Sequence, residues 1–138
     1  VPVTMEGIKA IRLMKQNGIR VTGTVVYSKQ QGFLAMEAGA DFIAPYFNRM
    51  ENLGIDHDEV IDSLAEMIAL YDYPTQILAA SFKNAGQVDR AFLAGAQTAT
   101  MDPSILEGML AQPHITGAVD AFDADWKSIH GNTLICDL

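Results

Sequence analysis

From Val1 to about Thr100, short strand-like runs alternate with helix-like runs. That alternation restricts the chain to a parallel sheet with helices packed outside it. The runs centred near residues 21, 42, 76 and 97 are short, apolar or β-branched, and each leads into an amphipathic stretch. One strand plus one helix recurs about every 20–35 residues, with short loops between. No linker, charge block or low-complexity tract divides the chain, so it reads as one domain.

The first helix runs from Met5 to Gln16, capped by Thr4 with Glu6 in its first turn and stopped by Asn17-Gly18. Ile8, Ile11 and Met14 share one face, and Lys9, Arg12 and Lys15 another. Arg20 to Tyr27 is a strand whose alternation sets Thr22, Thr24 and Val26 on one side and Val21, Gly23 and Val25 on the other. Hydroxyls are costly against a dry helix layer and cheaper at a polar mouth. Ser28 caps a helix to about Ala38, with Phe33, Leu34 and Met36 apolar, stopped by Gly39.

The run Asp41 to Arg49, D-F-I-A-P-Y-F-N-R, is a buried strand with Phe42, Ala44 and Tyr46 on one side, followed by a loop, M-E-N-L-G. Asp56 and Glu59 form a capping-box pair for a helix to about Tyr71, striped by Val60, Ile61, Leu64, Ile68 and Tyr71. Gln76 to Ser81 is the next strand. Asn84 with Gln87 then starts a helix carrying Val88, Phe92 and Leu93, and Ala96 to Thr100 is a weak strand. Asp102-Pro103 opens a helix that ends before Pro113. A C-terminal helix over about 113–130 places Val119, Phe122, Trp126 and Ile129 on one face.

In α/β folds ligands bind outside the carboxyl ends of the strands. Tyr46, Asn48 and Arg49 gather at one such end, bringing a phenol that can move a proton and a guanidinium that can hold phosphate or carboxylate. The same residues also suit a turn with a packed tyrosine and a surface arginine. The chain has 138 residues, 49% of them apolar, and a net charge of −8, which argues against a nucleic-acid backbone or an anionic membrane as partner. No apolar run reaches the roughly 18 residues of a membrane span. A single cysteine, Cys136, excludes an internal disulfide and fits a reducing, cytoplasmic setting. His57, His114 and His130 have no ligand spacing, so no metal site and no cofactor is expected. Asp56, Asp58 and Glu59 read as helix-start residues. The opening V-P-V-T, without an initiator methionine or an element before it, reads as the middle of a longer chain.

Two architectures fit these residues: an open doubly wound sheet and part of an eight-fold βα barrel. The nucleotide cradles G-x-G-x-x-G and G-x-x-x-x-G-K are absent, and a complete barrel takes roughly 200 residues or more. Several motifs carry a resemblance. V-P-V-T-M-E-G at the start, T-G-T-V-V-Y around Thr24, G-A-D-F-I-A-P-Y-F-N-R ending at Arg49, I-L-A-A-S-F-K ending at Lys83 and A-D-W around Trp126 follow in order. Together they resemble the transaldolase family, in its small branch of fructose-6-phosphate aldolases and short transaldolases.

The resemblance implies a (β/α)8 TIM barrel, of which residues 1–138 are the C-terminal part of a single domain, from the end of strand 4 to the C-terminal helix. It implies a class I aldolase that cleaves fructose 6-phosphate to dihydroxyacetone and glyceraldehyde 3-phosphate. Alternatives are a transaldolase and, from another class, a non-catalytic module binding a phosphorylated ligand or a protein. The Schiff-base lysine of the family directly precedes V-P-V-T, so a covalently modified lysine is expected just ahead of Val1. Tyr46 takes the catalytic proton, directly or through water, in place of the phenylalanine of larger transaldolases. Thr24 can hold that water or bond to backbone. Arg49 and Ser81 are assigned to the phosphate, though Arg49 also suits a rim salt bridge. Ala44 and Asn48 complete the binding set, and Asn48 and Lys83 read as readily as supporting or solvent-facing residues. The partners implied are a sugar phosphate and further copies of the chain, joined through the C-terminal helix at Phe122 and Trp126; that helix can instead close the barrel's own core.

Overall fold

Four strands, Thr22–Val26 (β1), Phe42–Pro45 (β2), Gln76–Ala79 (β3) and Thr98–Ala99 (β4), pair in parallel in the order in which they occur along the chain. They are seen in a computed structural model that describes residues 1–137. On the outer side of β1, Pro2 forms a parallel bridge with Thr24. A doubly wound sheet reverses its strand order at a switch point. This one advances in a single direction from Val1–Val3 to β4, which is the order of an arc of a (β/α)8 barrel.

The chain forms two compact units, Val1–Asp102 and the segment from Pro103 onward. The first holds the sheet and five helices: Met5–Gln16 (α1), Lys29–Glu37 (α2), Phe47–Asn52 (α3), His57–Tyr71 (α4) and Ala85–Leu93 (α5). Loop side chains start four of them. Thr4, Ser28, Asp56 and Asn84 accept from the amides of Gly7, Gln31, Glu59 and Gln87 at 3.0, 3.2, 3.0 and 3.0 Å. Each such cap contributes about 1 kcal/mol. The second unit contains Pro103–Leu110 (α6), Pro113–His130 (α7) and a 3-10 turn at Ile135–Asp137.

Helix-facing side chains of the sheet form the core. Gly23, Ile43 and Ile77 stand in register across β1, β2 and β3, and Ile43 and Ile77 are fully buried. Gly32 lets α2 meet α4, because a Cβ there would lie 2.3 Å from Leu64 Cδ2. Asp41 joins three elements. Its carboxylate accepts from Lys15 Nζ at 2.7 and 2.8 Å and from the Val21 amide at 2.6 Å. Partial burial pushes its pKa up, but the Lys15 hydrogen bond, the Val21 amide and the Lys15 charge outweigh it and hold the carboxyl below its ordinary value.

Several expectations need correction. The alternation over β1 breaks at Val25, which has φ 61°, and the register shifts between Gly23 and Val26. Val26 therefore pairs with Pro45 on the Gly23 side instead of joining Thr22 and Thr24. The stretch expected as a loop after Arg49 is the end of helix α3, so Arg49 lies on a helix. Only half of the capping box forms, since the Glu59 carboxylate pairs with Lys29. Tyr71, expected on the apolar stripe of α4, is 59% exposed, and of the apolar residues on α5 Phe92 and Leu93 are 45% and 87% exposed. β3 closes at Ala79, two residues short of Ser81.

Candidate active site

The carboxyl end of β2 builds the site. Alternation and register set Thr22, Thr24, Ala44 and Tyr46 on the face opposite Gly23 and Ile43. Backbone bonds tie the turn after β2 to both neighbouring strands. The Tyr46 amide donates to Val26 O at 3.1 Å, Phe47 N to Ala80 O at 2.9 Å and Asn48 N to Ser81 O at 3.0 Å. These bonds fix the backbone that carries Tyr46, and Ala44, two residues earlier on the same face, is buried.

Thr24 Oγ1 and Tyr46 Oη are hydrogen-bonded at 3.1 Å. The Arg49 guanidinium lies 4.7 Å from the centre of the Tyr46 ring, in cation–π contact. Tyr27 meets Tyr46 edge-on with ring centres 5.9 Å apart. The neighbouring Tyr27 hydroxyl, together with charge interactions with both tyrosines, raises the guanidinium pKa against its partial desolvation. Arg49 is exposed, so a cation held by aromatic groups faces solvent beside a phenol.

Ser81 sits just past β3 at φ 67°, a left-handed conformation unusual for a serine. Its carbonyl is bonded to Asn48, the neighbour of Arg49. Thr24, Ala44, Tyr46 and Arg49 are thus drawn together, and Ser81 is joined to them through the backbone of Asn48. The Asn48 side chain accepts from Gln87 Nε2 at 3.0 Å, and Lys83 is exposed.

Two further residues bear on the site. Tyr27 enters the site because the bulge at Val25 reverses the side-chain parity that strict alternation predicts. Gln87 was seen only as a helix-start residue, yet its side chain is buried and bridges Asn48, Glu51 and the Lys83 amide. A glutamine one turn into a helix is too common a pattern to have signalled this.

Among the described residues, Asp56, His57 and Asp58 bring three potential metal-ligand atoms within 4.8 Å of one another. All three have other roles: Asp56 caps α4, and Asp58 pairs with His57 Nδ1 at 2.9 Å and with Arg90. His57 is buried and stacks on Phe47 with ring centres 3.9 Å apart, a packing role that sequence did not reveal.

A sequential parallel sheet with a phenol, a hydroxyl and a cation at its carboxyl ends defines an α/β protein of the (β/α) barrel type. Residues 1–133 match the family model described as Transaldolase/Fructose-6-phosphate aldolase, and the chain belongs to that family. It is 48% identical over 135 residues to a protein of Streptococcus pneumoniae (strain ATCC 700669 / Spain 23F-1) named "Probable fructose-6-phosphate aldolase". The match covers 98% of this chain and 61% of that relative, so the chain spans less than two thirds of the relative's length.

Proposed function

We propose that the chain forms the C-terminal part of a single (β/α)8 barrel domain of a class I aldolase. The enzyme interconverts fructose 6-phosphate with dihydroxyacetone and glyceraldehyde 3-phosphate. The observation that carries this reading is the register of Val1–Val3. Val1 N donates to Thr22 O at 2.8 Å, and Thr24 N returns a bond to Val1 O at 2.8 Å. With Pro2 opposite Thr24, a residue joined ahead of Val1 falls opposite Thr22, on the face that carries Thr24, Ala44 and Tyr46. The lysine of the family belongs at that place.

The chemistry then follows from the groups present. The lysine amine condenses with the ketose carbonyl, water leaves, and the resulting iminium is an electron sink. Tyr46 takes the proton of the C4 hydroxyl, directly or through a water held by Thr24, as the C3–C4 bond breaks. The bonding pair passes to the iminium to give an enamine, and glyceraldehyde 3-phosphate departs. Protonation and hydrolysis of the enamine release dihydroxyacetone and restore the lysine. Arg49 and Ser81 hold the phosphate, with Asn48 supporting them. Tyr46, at the position where larger transaldolases carry phenylalanine, favours cleavage over transfer to a second sugar.

In this reading the protein works in the cytoplasm, and α7 meets a neighbouring copy. Val119, Phe122 and Ile129 on that helix are 58%, 71% and 77% exposed, and Trp126 lies on the same face. The test is borohydride reduction of the full-length protein in the presence of fructose 6-phosphate or dihydroxyacetone, followed by mass measurement. A reduced adduct on the lysine preceding Val1 is expected. No adduct on any lysine sinks the aldolase reading.

A further inference from the structure

Gln87 is 6% exposed, and a buried primary amide is costly unless its donors and acceptor are bonded. Here both ends are used. Oε1 accepts from the Lys83 amide at 2.8 Å, while Nε2 donates to Asn48 Oδ1 at 3.0 Å and to Glu51 Oε2. Asn48 and Glu51 flank Arg49 on α3, and Lys83 lies two residues after Ser81 on the loop into α5. One side chain therefore clamps the helix that carries the guanidinium to the loop that carries the hydroxyl. The Asn48 N to Ser81 O bond is a second strap across the same junction. Ser81 is held in a left-handed conformation, which persists only where its surroundings fix it. A leucine of similar volume could fill this space, so packing alone does not call for an amide here.

We propose that Gln87 is a positioning residue that sets the spacing between Arg49 and Ser81, and with it the fit of the phosphate end of the substrate. This rests on the aldolase reading above. The hydrogen bonds of the Gln87 side chain go to Lys83, Asn48 and Glu51, and none of these is the phenol or Thr24. Its loss acts on recognition of phosphate and leaves bond cleavage alone.

The experiment compares Gln87→Leu, Gln87→Glu and Arg49→Ala in the full-length protein. Each is assayed with fructose 6-phosphate, with dihydroxyacetone plus unphosphorylated glyceraldehyde, and for inhibition by inorganic phosphate. Gln87→Leu is expected to raise KM for fructose 6-phosphate and the inhibition constant of phosphate about tenfold, the equivalent of one good hydrogen bond lost from the phosphate. Its kcat and the unphosphorylated reaction should stay within about twofold. Gln87→Glu keeps the acceptor for Lys83 N but sets a carboxylate against Glu51, so it should show the same split even if the leucine variant does not fold. If both reactions fall equally, or if KM for the phosphorylated substrate does not move, Gln87 is not a positioning residue. Arg49→Ala separates the two readings. If it too leaves that KM unchanged, the phosphate site itself is misassigned; if it raises KM and the Gln87 variants do not, only this inference fails.

Discussion

Tyr46→Phe removes one atom from the candidate site. The hydroxyl is hydrogen-bonded to Thr24 Oγ1 at 3.1 Å, while the ring keeps its contacts with Arg49 and Tyr27. A single hydrogen bond contributes about 0.5–1.5 kcal/mol to stability. Both partners are half-buried and water can replace part of the bond, so the cost should lie near the bottom of that range. Loss of a proton-transfer group costs about 10²–10⁴ in rate, or roughly 3–5 kcal/mol of barrier. The two effects differ enough to be separated. Urea unfolding reads the first, and release of glyceraldehyde 3-phosphate followed through a coupled dehydrogenase reads the second. Borohydride trapping should still yield the adduct, because in the proposed mechanism the phenol acts after the iminium forms. Thr24→Val is the companion variant: it removes the same bond, should cost similar stability, and leaves the phenol in place with a kcat loss of about tenfold or less. If Tyr46→Phe retains turnover within about threefold of the parent, the proton has another acceptor and the assignment is refuted.

Acid should loosen the junction at Asp41. Its carboxyl has a depressed pKa, so the contribution is fully present above the ordinary value of 3.8 and fades as pH falls through the lower folded-state value. Asp41→Asn should cost about 1–2 kcal/mol at neutral pH, given partial exposure, and should flatten the acid side of the stability profile; parallel acid limbs in urea titrations would contradict this. Ser81→Gly should relieve the left-handed backbone and gain up to about 1 kcal/mol, set against the greater freedom of glycine in the unfolded chain. The same variant should bind fructose 6-phosphate less well, and unchanged KM would remove Ser81 from the phosphate site.

Much of the fold could be read from local patterns, because each βα unit carries its own start and stop signals. Thr4, Ser28, Asp56 and Asn84 cap as their positions suggest. The run through Phe42 and Tyr46 ends where a parallel strand would deliver a ligand-facing residue. The failures arose where tertiary context overrode a period. The bulge at Val25 reversed the parity of β1 and brought Tyr27 to the site. The six residues of α3 are too few to leave a periodic signature. Tyr71 follows the spacing of its stripe, yet it is the last residue of α4 and is largely exposed. The clamp at Gln87 joins residues more than 30 positions apart, a relation that no local window contains.

The placement of the indole ring bears on how the molecule can be watched. The sequence has one tryptophan and four tyrosines. Trp126 lies on α7, where its ring N–H donates to Thr133 O at 2.8 Å and its ring rests against His130 with centres 4.3 Å apart. Tyr27, Tyr46, Tyr71 and Tyr73 all lie in the Val1–Asp102 unit. Emission excited at the red edge of the absorption band therefore reports on the second unit, while ultraviolet difference absorbance of the phenols reports on the first. Melts followed by the two signals share a midpoint only if the units lose structure in one cooperative step. The dyes already in the chain can time each unit separately, without a label.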